Sequence, residues 1–452
     1  MNRDTNKLPF DPARWPFFYG YFILAAGIVG IVFSVPGQTI GVSAFTEPLM
    51  KALGVERTTL SLSYMIGTGG SALLLTFAGW FYDRFGARVT AMCSGVGLGC
   101  VLLLLSQIDH VGTSVAAWLG AAESTTIIAA TTAVGFLLLR FSGQGVMTMT
   151  SENMVMKWFR RRRGLVSGIM NAAIPLAFSL APLIFHGMIE RVGWSRAWMF
   201  IGLATGLGFT AFAAVFFRDN PEDCGLFPDG DTEADPDDSG YGPETDFTLA
   251  EAMRTYPFWV FNFAVSLHAM FITALTFHIE SIFRGAGLSE DAAFSMFLPM
   301  AIIGVTGGLV CGWLMDRTKL KYFVVGQTGG LMVALGGVLL LGTGAGYYMI
   351  IIGGGLARGV FGLLVATTWP RLFGREHLGA ITGFQRTWMV AFTAAGPLLF
   401  SLSNDYAGGY WAATTLTLGG VGLLFLGGFF ADKPPEPERE RRVAADSAGR
   451  NE

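Results

Sequence analysis

The sequence is poor in charge and in cysteine. Of its 452 residues only 14% are charged, whereas 52% are hydrophobic. A soluble globular protein carries about 25% charged residues, so this chain lacks the polar surface that a water-soluble fold needs. Its four cysteines show no metal-ligand spacing, which argues against a zinc site or a disulfide framework. The composition therefore favours a membrane protein over a soluble enzyme.

Long apolar runs recur along the whole chain. A helix needs roughly 20 apolar residues to cross a bilayer, and the sequence predicts twelve such spans. They lie at 18–48, 58–82, 88–107, 126–158, 164–189, 195–217, 256–283, 291–315, 321–342, 346–371, 378–403 and 408–431. The predicted fold class is an all-α membrane protein.

One charged turn between two spans occurs twice. Residues 79–88 read GWFYDRFGAR and residues 312–321 read GWLMDRTKLK, each between two apolar runs. Further along, the Gly-xxx-Gly of 164–168 recurs at 379–383, and this register aligns Asn171 with Arg386. The chain is therefore predicted to be a duplication, with two pseudo-symmetric six-helix bundles that bracket a cavity near the bilayer midplane.

The repeat defines the predicted domains. The first bundle covers 1–217 and the second covers 251–431, with an acidic linker at 218–250 and a disordered tail at 432–452. Proline, glycine and acidic residues in the linker are typical of solvated, largely disordered chain. We expect a short helix at 249–254 and an interfacial helix within 109–125.

The turn at 79–88 resembles the signature loop between spans 2 and 3 of the major facilitator superfamily, Gly-x-x-x-Asp-Arg-x-Gly-x-Arg. Residues 139–145 (LRFSGQG) resemble its span 4 motif, and residues 157–168 (KWFRRRRGLVSG) are similar to the span 4–5 junction of monocarboxylate and oxalate–formate porters. The resemblance implies two six-helix bundles, alternating access and secondary transport driven by ion or solute gradients.

This sequence departs from both porter families in two places. Span 8 has no Asp/Arg pair, which the monocarboxylate porters use for substrate and proton. Span 11 has no Lys where the oxalate–formate porters carry one, although Arg386 lies about one helical turn away.

Lysine and arginine predict the orientation. Short loops rich in these residues face the cytoplasm, and the richer set contains Arg84, Arg88, Arg317 and the run 160–163. Both termini and the linker are therefore expected inside, in a multi-pass protein of the inner or plasma membrane. The run 160–163 is expected to contact anionic lipid rather than nucleic acid, and we expect a monomer.

Three arginines lie deep inside predicted spans. Arg140, Arg358 and Arg386 are each expected ~12–21 Å from a helix end. Charge at that depth persists where it faces a cavity or a partner, and a guanidinium clasps a carboxylate through two hydrogen bonds. With Asn171 and Gln385 at similar depth, these residues predict a binding site for a small organic anion. The alternative is that Arg140 and Arg358 lock helices together through backbone carbonyls or Glu152.

Two side chains are candidates for proton coupling. His268 lies near the middle of span 7, and an imidazole can titrate near neutral pH. A structural role for His268 is equally compatible with its position. Glu152, in the inner third of span 4, is the alternative proton carrier.

The repeated turn is interpreted as a gate. Asp83, Arg84, Arg88, Asp316 and Arg317 are expected to form charge pairs that hold the cytoplasmic side shut and break during transport. No nucleotide-binding loop, catalytic triad or metal cluster is apparent. We therefore expect no enzymatic activity and no cofactor.

The sequence predicts a transporter of a small organic anion, a mono- or dicarboxylate, coupled to protons. The first alternative is a proton-driven efflux pump for amphipathic compounds, since exporters also carry the Arg140 motif. The second is a non-transporting sensor or scaffold that uses the acidic linker for docking.

Overall fold

The computed structural model describes residues 9–120, 124–231 and 245–434, and within these ranges all regular elements are helices. The α-helices of the first half are α1 (Gly20–Phe33), α2 (Thr39–Ser43), α3 (Thr46–Leu53), α4 (Arg57–Leu105), α5 (Ile108–Trp118), α6 (Thr125–Arg140), α7 (Thr148–Trp158), α8 (Arg163–Val192), α9 (Trp194–Leu203) and α10 (Thr210–Phe216). Those of the second half are α11 (Leu249–Ala252), α12 (Tyr256–Gly285), α13 (Glu290–Ser295), α14 (Phe297–Met315), α15 (Leu320–Leu339), α16 (Ala345–Phe373), α17 (Leu378–Ala407) and α18 (Trp411–Gly428).

Two further helical stretches connect consecutive α-helices. Two π-helical stretches, Phe141–Met147 and Ala204–Phe209, join α6 to α7 and α9 to α10 without interrupting the helix. Within the described ranges, nine helices are long and apolar enough to cross a membrane. The predicted all-α fold class is confirmed, and twelve spans are consistent with the structure because α4 contains two of them, α1 is a shorter apolar helix, and α17 is a more polar helix of 30 residues.

One predicted span is broken. Span 1, predicted as one run at 18–48, ends as α1 at Phe33 and continues as a 3₁₀ turn at Val35–Gly37 followed by α2. Pro36 lacks the amide hydrogen that an uninterrupted helix would need there. Span 8, predicted at 291–315, matches a single candidate span at Asp291–Met315, in which only Met296, with helical backbone angles, separates α13 from α14.

Gly86 marks the point at which α4 bends between spans 2 and 3. Its φ of 79° and ψ of 175° are accessible to glycine and strained for other residues. The Asp219 carboxylate lies directly against Gly86 and accepts a hydrogen bond from the Arg88 amide at 3.0 Å. Burial raises the pKa of Asp219 above its usual value, an effect that the hydrogen bond from the Arg88 backbone opposes. The repeated turn is thus tied to the start of the linker.

The described parts of the linker are ordered. Asp229 accepts a hydrogen bond from the Arg160 amide at 2.8 Å, and Asp246 accepts one from the Arg375 amide at 2.7 Å. Thr248 caps α11 through a reciprocal capping box, which confirms the predicted short helix. Residues 232–244 and 435–452, where most of the predicted disorder falls, lie outside the described residues. The helix predicted within 109–125 corresponds to α5.

The structure divides into two compact units whose bounds differ from the halves of the sequence. Unit 1 contains 1–160, 172–233 and 382–394, and unit 2 contains 161–171, 234–381 and 395–452. The beginning of α8 therefore belongs to unit 2, and a segment of α17 belongs to unit 1. The domain bounds 1–217 and 251–431 remain predictions.

Each unit has its own packing. In unit 1, α4 packs against α6 and α9, and α1 packs against α7. In unit 2, α16 packs against α14 and α15, and α18 packs against α12 and α15. Glycines bring these helices together: a Cβ built at Gly353 would lie 2.6 Å from the carbonyl oxygen of Gly330. Small residues at such crossings are typical of helix packing in membranes.

Candidate functional site

Arg386 and Glu152 form an ion pair inside unit 1. The Arg386 Nη2 donates to Glu152 Oε2 at 2.6 Å, and the two side chains are 8% and 19% exposed. Arg386 lies about eight residues, or ~12 Å, into α17, and Glu152 lies on α7. Sequence analysis named both residues but assigned them separate roles. The structure brings them together, and the Nε of Arg386 has no hydrogen-bond partner among the described protein atoms.

The segment of α17 around Arg386 is held by three further contacts within unit 1. Asn153 Nδ2 donates to Thr382 Oγ1 at 2.8 Å, and Thr387 Oγ1 donates to the Ala72 carbonyl at 2.9 Å. Gly383 lies against Leu75, where a Cβ would come within 2.5 Å of the carbonyl oxygen. The ion pair therefore sits on a helix segment that packs closely on both α4 and α7.

The other deep cation of unit 1 contacts backbone. Arg140 is 4% exposed, and its Nη1 donates to the Gly37 carbonyl at 3.1 Å and to Thr39 Oγ1 at 3.3 Å. Its guanidinium also lies 5.3 Å from the ring centroid of Tyr64. These contacts join the end of α6 to the break after α1, which is the helix-locking arrangement considered as the alternative for this residue.

Unit 2 contains the third arginine. Arg358 is exposed on α16 and has no side-chain hydrogen bond or ion pair within the described ranges. The Asn171 amide lies against Gly362, one turn further along α16. Asn171 of α8 therefore contacts α16 one turn after Arg358. Gln385, by contrast, belongs to unit 1, is 1% exposed, and its Nε2 has no hydrogen-bond partner among the described protein atoms.

His268 is a buried side chain of α12. Its ring stacks on Phe361 with centroids 4.5 Å apart and an interplanar angle of 17°. Its Nδ1 has no hydrogen-bond partner among the described protein atoms. This environment differs from that of Glu152, whose carboxylate already faces a cation.

The two charged residues of the second turn make separate contacts. Asp316 accepts hydrogen bonds from the Gly164 and Leu165 amides at 2.6 and 2.9 Å, so its carboxylate caps the beginning of α8. The Arg317 guanidinium lies 4.0 Å from the Trp313 ring centroid. Within the described ranges Arg317 has no ion pair, which differs from the expectation, because the preceding aromatic side chain takes its guanidinium instead.

The first copy of the turn follows the same pattern. The Arg84 guanidinium lies 5.5 Å from the Trp80 ring centroid, and the described residues give it no ion pair. Arg88 donates from Nε to the Phe217 carbonyl at 3.0 Å, and Asp83 is half-buried. The two tryptophans that stand four residues before Arg84 and Arg317 were visible in the repeat, and they were the signal that could have predicted these contacts.

Several further amides and hydroxyls are buried in unit 2. Asn262 and Ser266 of α12, Gln327 of α15 and Thr368 of α16 are fully buried in unit 2 with side-chain atoms that have no partner among the described protein atoms. Each lies about 5–10 residues from one end of its helix, so they share a layer ~8–15 Å deep. Polar side chains of this kind can bond across helices, but their type alone gave no functional signal.

Comparison with known proteins decides the family. The sequence profile of the Major Facilitator Superfamily matches residues 17–391. The chain belongs to this superfamily. It is a multi-pass membrane protein whose relatives are transporters, and the resemblance to monocarboxylate and oxalate–formate porters is confirmed at low identity.

The relatives within the superfamily are named for different cargo. An "Uncharacterized MFS-type transporter YhjX" of Escherichia coli is 26% identical over 63% of this chain and 64% of its own length, so the chain spans just under two thirds of that relative. The "Probable sulfoacetate transporter SauU" of Cupriavidus necator is 23% identical over 90% of this chain and 94% of its own. The oxalate:formate antiporter of Oxalobacter formigenes is 25% identical over 55% and 50%.

A solved structure of this superfamily supports the fold. The proton:xylose symporter XylE matches with a TM-score of 0.63 at 14% identity, over 91% of this chain and 95% of that chain. At such identity the likeness concerns the fold alone.

Proposed function

We propose that this protein is a secondary transporter of a small organic anion, a mono- or dicarboxylate or a close analogue, and that one proton accompanies the anion. The observation that carries the proposal is the Arg386–Glu152 pair, a guanidinium bound to a partly accessible carboxylate in a membrane helix. A cation held by a carboxylate of the protein has the chemistry to hold a carboxylate of the substrate.

The proposed mechanism is an exchange of partners. The incoming carboxylate takes the place of Glu152 on Arg386, where the fork of the guanidinium can donate two parallel hydrogen bonds. Glu152 then lies in a low-dielectric site without its cation, and such an environment favours the neutral acid. It therefore takes up a proton, so the anion and the proton move together, and for a monocarboxylate the net charge of the site is unchanged. Release of the anion returns Glu152 to Arg386 and expels the proton.

Other named residues take supporting roles in this proposal. Arg358 has no ion pair among the described residues, and Asn171 contacts α16 one turn further along, which makes Arg358 the second candidate for binding an anion. We propose that Arg140 and Gln385 line the site and that His268 is the alternative proton carrier. Glu152 is preferred over His268 because Glu152 contacts the cation that the substrate needs, whereas His268 stacks on an aromatic ring.

Alternating access requires contacts that form and break. We propose that the Asp316 cap on α8 and the contacts of the 382–394 segment are among these, together with the turn residues Asp83, Arg84, Arg88 and Arg317. This assigns the gating role to backbone caps and glycine contacts as well as to the charged residues of the turns. We place both termini in the cytoplasm.

The cargo of named relatives supports an anionic substrate. Sulfoacetate, oxalate and formate are all small anions, and they are the cargo of proteins that this chain resembles. The same relatives leave the specific compound open, so the test must cover several.

The test is uptake by purified protein in liposomes. Radiolabelled formate, oxalate, lactate and sulfoacetate are offered with and without an inward proton gradient. We expect saturable uptake of at least one of the four, stimulated by the gradient, and a loss of at least 100-fold in Arg386→Gln. The matched control is Arg191→Gln, which removes an exposed arginine from the last turn of α8 and should transport normally. Full uptake by a folded Arg386→Gln protein would refute the assignment.

A further inference from the structure

A basic cavity lies at one end of unit 2, apart from the proposed transport site. Here α14 and α16 end, α15 begins, and the chain leaves α18. The cavity has a volume of about 270 Å³, and its lining includes Lys319, Lys321, Arg371, Asp432 and Lys433. Four of these five side chains are cations, so the cavity has the charge of an anion site.

A carboxylate of the protein already occupies this cavity. Asp432 Oδ2 accepts a hydrogen bond from Lys321 Nζ at 2.7 Å, and its Oδ1 lies 3.9 Å from Lys319 Nζ. The hydrogen bond from Lys321 lowers the pKa of Asp432 below its usual value. The cavity therefore stabilises a negatively charged oxygen acid at a defined position.

The walls of the cavity are fixed by backbone contacts. Arg371 donates from Nη1 to the Met315 carbonyl at 2.6 Å and from Nη2 to the Thr318 carbonyl at 2.7 Å, which ties the end of α16 to the loop before α15. Helix α15, which is 20 residues long, begins at Leu320 inside the cavity, so its N-terminal amides add positive potential. Lysines and a helix N-terminus together suit an oxyanion with several acceptor oxygens.

Exposed aromatic side chains surround this end of the unit. Trp313 precedes the loop, Tyr322 follows Lys321, and Phe430 lies just before Asp432; they are 50%, 58% and 76% exposed. Tryptophan and tyrosine are enriched where membrane helices meet the headgroup region. A cationic cavity beside such side chains is therefore suited to the phosphate level of a bilayer.

We infer that this cavity binds a phosphate group, with the headgroup of an anionic phospholipid as the form that its aromatic surroundings favour, and that Asp432 is an internal competitor for the site. The carboxylate of Asp432 is half exposed, and its pairs with Lys319 and Lys321 are solvent-screened. Exposed pairs of this kind are weak, so a phosphate that carries more acceptor oxygens can displace it. The inference is independent of the transport mechanism.

The test uses purified full-length protein in neutral detergent. Thermal unfolding is followed during titration with phosphatidylglycerol, phosphatidylcholine or inorganic phosphate, and bound lipid is counted by native mass spectrometry. Phosphatidylglycerol should raise the unfolding temperature by several degrees more than phosphatidylcholine does, because ligand bound to the native state stabilises it. If inorganic phosphate reproduces the effect at millimolar concentration, the ligand is a soluble phosphate and the site assignment stands.

Three variants test whether the stabilisation by phosphatidylglycerol comes from this cavity. Lys321→Gln should abolish the extra stabilisation by phosphatidylglycerol, and Asp432→Asn should strengthen binding several-fold because the competitor has lost its charge. Arg254→Gln removes an exposed cation just before α12, outside the cavity, and should behave as the wild type does. Equal titration curves for the wild type, Lys321→Gln and Asp432→Asn would overturn the inference. Asp432→Asn keeps the test decisive even if Lys321→Gln unfolds.

Discussion

Arg386 and Glu152 contact each other at 2.6 Å, although 234 residues separate them in the chain. Arg386 reaches its partner because the 382–394 segment of α17 packs in unit 1 with α4 and α7. The segment 161–171 of α8, from the first half of the sequence, belongs to unit 2. Within unit 1, the ion pair therefore joins a cation from the second half of the sequence to a carboxylate from the first half.

The first prediction concerns the stability of this pair. Removing one partner of a buried ion pair costs about 3–5 kcal/mol, whereas replacing both is often close to neutral. Glu152→Gln and Arg386→Gln should therefore each lower the unfolding temperature, and the double variant should be more stable than either single variant. Thermal unfolding of the four proteins in one detergent measures the coupling. Additive effects would show that the contact contributes little.

The second prediction separates coupling from binding. Glu152→Gln keeps the size of the side chain but cannot bind and release a proton. We expect it to lose uptake driven by a proton gradient and to retain exchange of labelled for unlabelled anion across liposomes. His268→Gln should keep gradient-driven uptake. The reverse result, with His268→Gln uncoupled and Glu152→Gln normal, would show that His268 carries the proton.

Two equivalent glycines provide the third prediction. Gly383 packs on Leu75 and Thr76, and its counterpart in the repeat, Gly168, packs on Gly308 and Leu309. A Cβ would lie 2.5 Å from the Leu75 oxygen at Gly383, but 3.4 Å from the Gly308 oxygen at Gly168. Gly383→Ala should therefore destabilise by about 1–3 kcal/mol through overpacking and slow transport, whereas Gly168→Ala should resemble the wild type. Unfolding and initial uptake rates of both variants check this contrast.

Local and periodic features of the sequence were sufficient to predict the fold class. Apolar runs predicted the spans, and the repeated GW…DR turn predicted the duplication. The break near Pro36 was missed because hydropathy averages over a window and conceals one missing hydrogen bond. Hydropathy patterns place spans along the chain but not helix faces relative to one another.

Sequence analysis named individual residues of the candidate site but not which of them contact one another. Depth alone identified Arg386 and Glu152, since charge inside a span is costly. Their contact depends on the packing of α17 against α7, for which no local pattern exists. Asp219 was assigned to a solvated linker because its neighbours are acidic, yet its carboxylate is buried against Gly86. Which residues contact each other depends on tertiary packing, and no local pattern in a single sequence shows it.

Asp219 gives a prediction that depends on pH. Burial raises the pKa of Asp219 in the folded protein, so the ionised form is disfavoured there relative to the unfolded chain. The stability of the wild type relative to Asp219→Asn should therefore fall as pH rises from about 4 through the raised value, and then become constant. Unfolding temperatures of the two proteins between pH 4 and 8 measure this trend. Asp219→Ala should be less stable at every pH, by about 1–3 kcal/mol, because the Arg88 amide loses its acceptor.

The last prediction distinguishes two neighbours in the charged turn. From the sequence, Asp316 and Arg317 have the same expected role, but Asp316 accepts two backbone hydrogen bonds at the beginning of α8, whereas Arg317 covers an exposed tryptophan. Asp316→Ala should therefore release the 161–171 segment, with about 1–3 kcal/mol lost for the unpaired amides and slower transport. Arg317→Ala removes one exposed cation–π contact, worth about 0.5–1 kcal/mol, and should leave uptake within about two-fold. Hydrogen exchange of the Gly164 and Leu165 amides, read beside initial uptake rates, checks both. Equal protection of these amides in Asp316→Ala and Arg317→Ala would mean that the cap does not hold α8, and the gate would then have to depend on the glycine contacts alone.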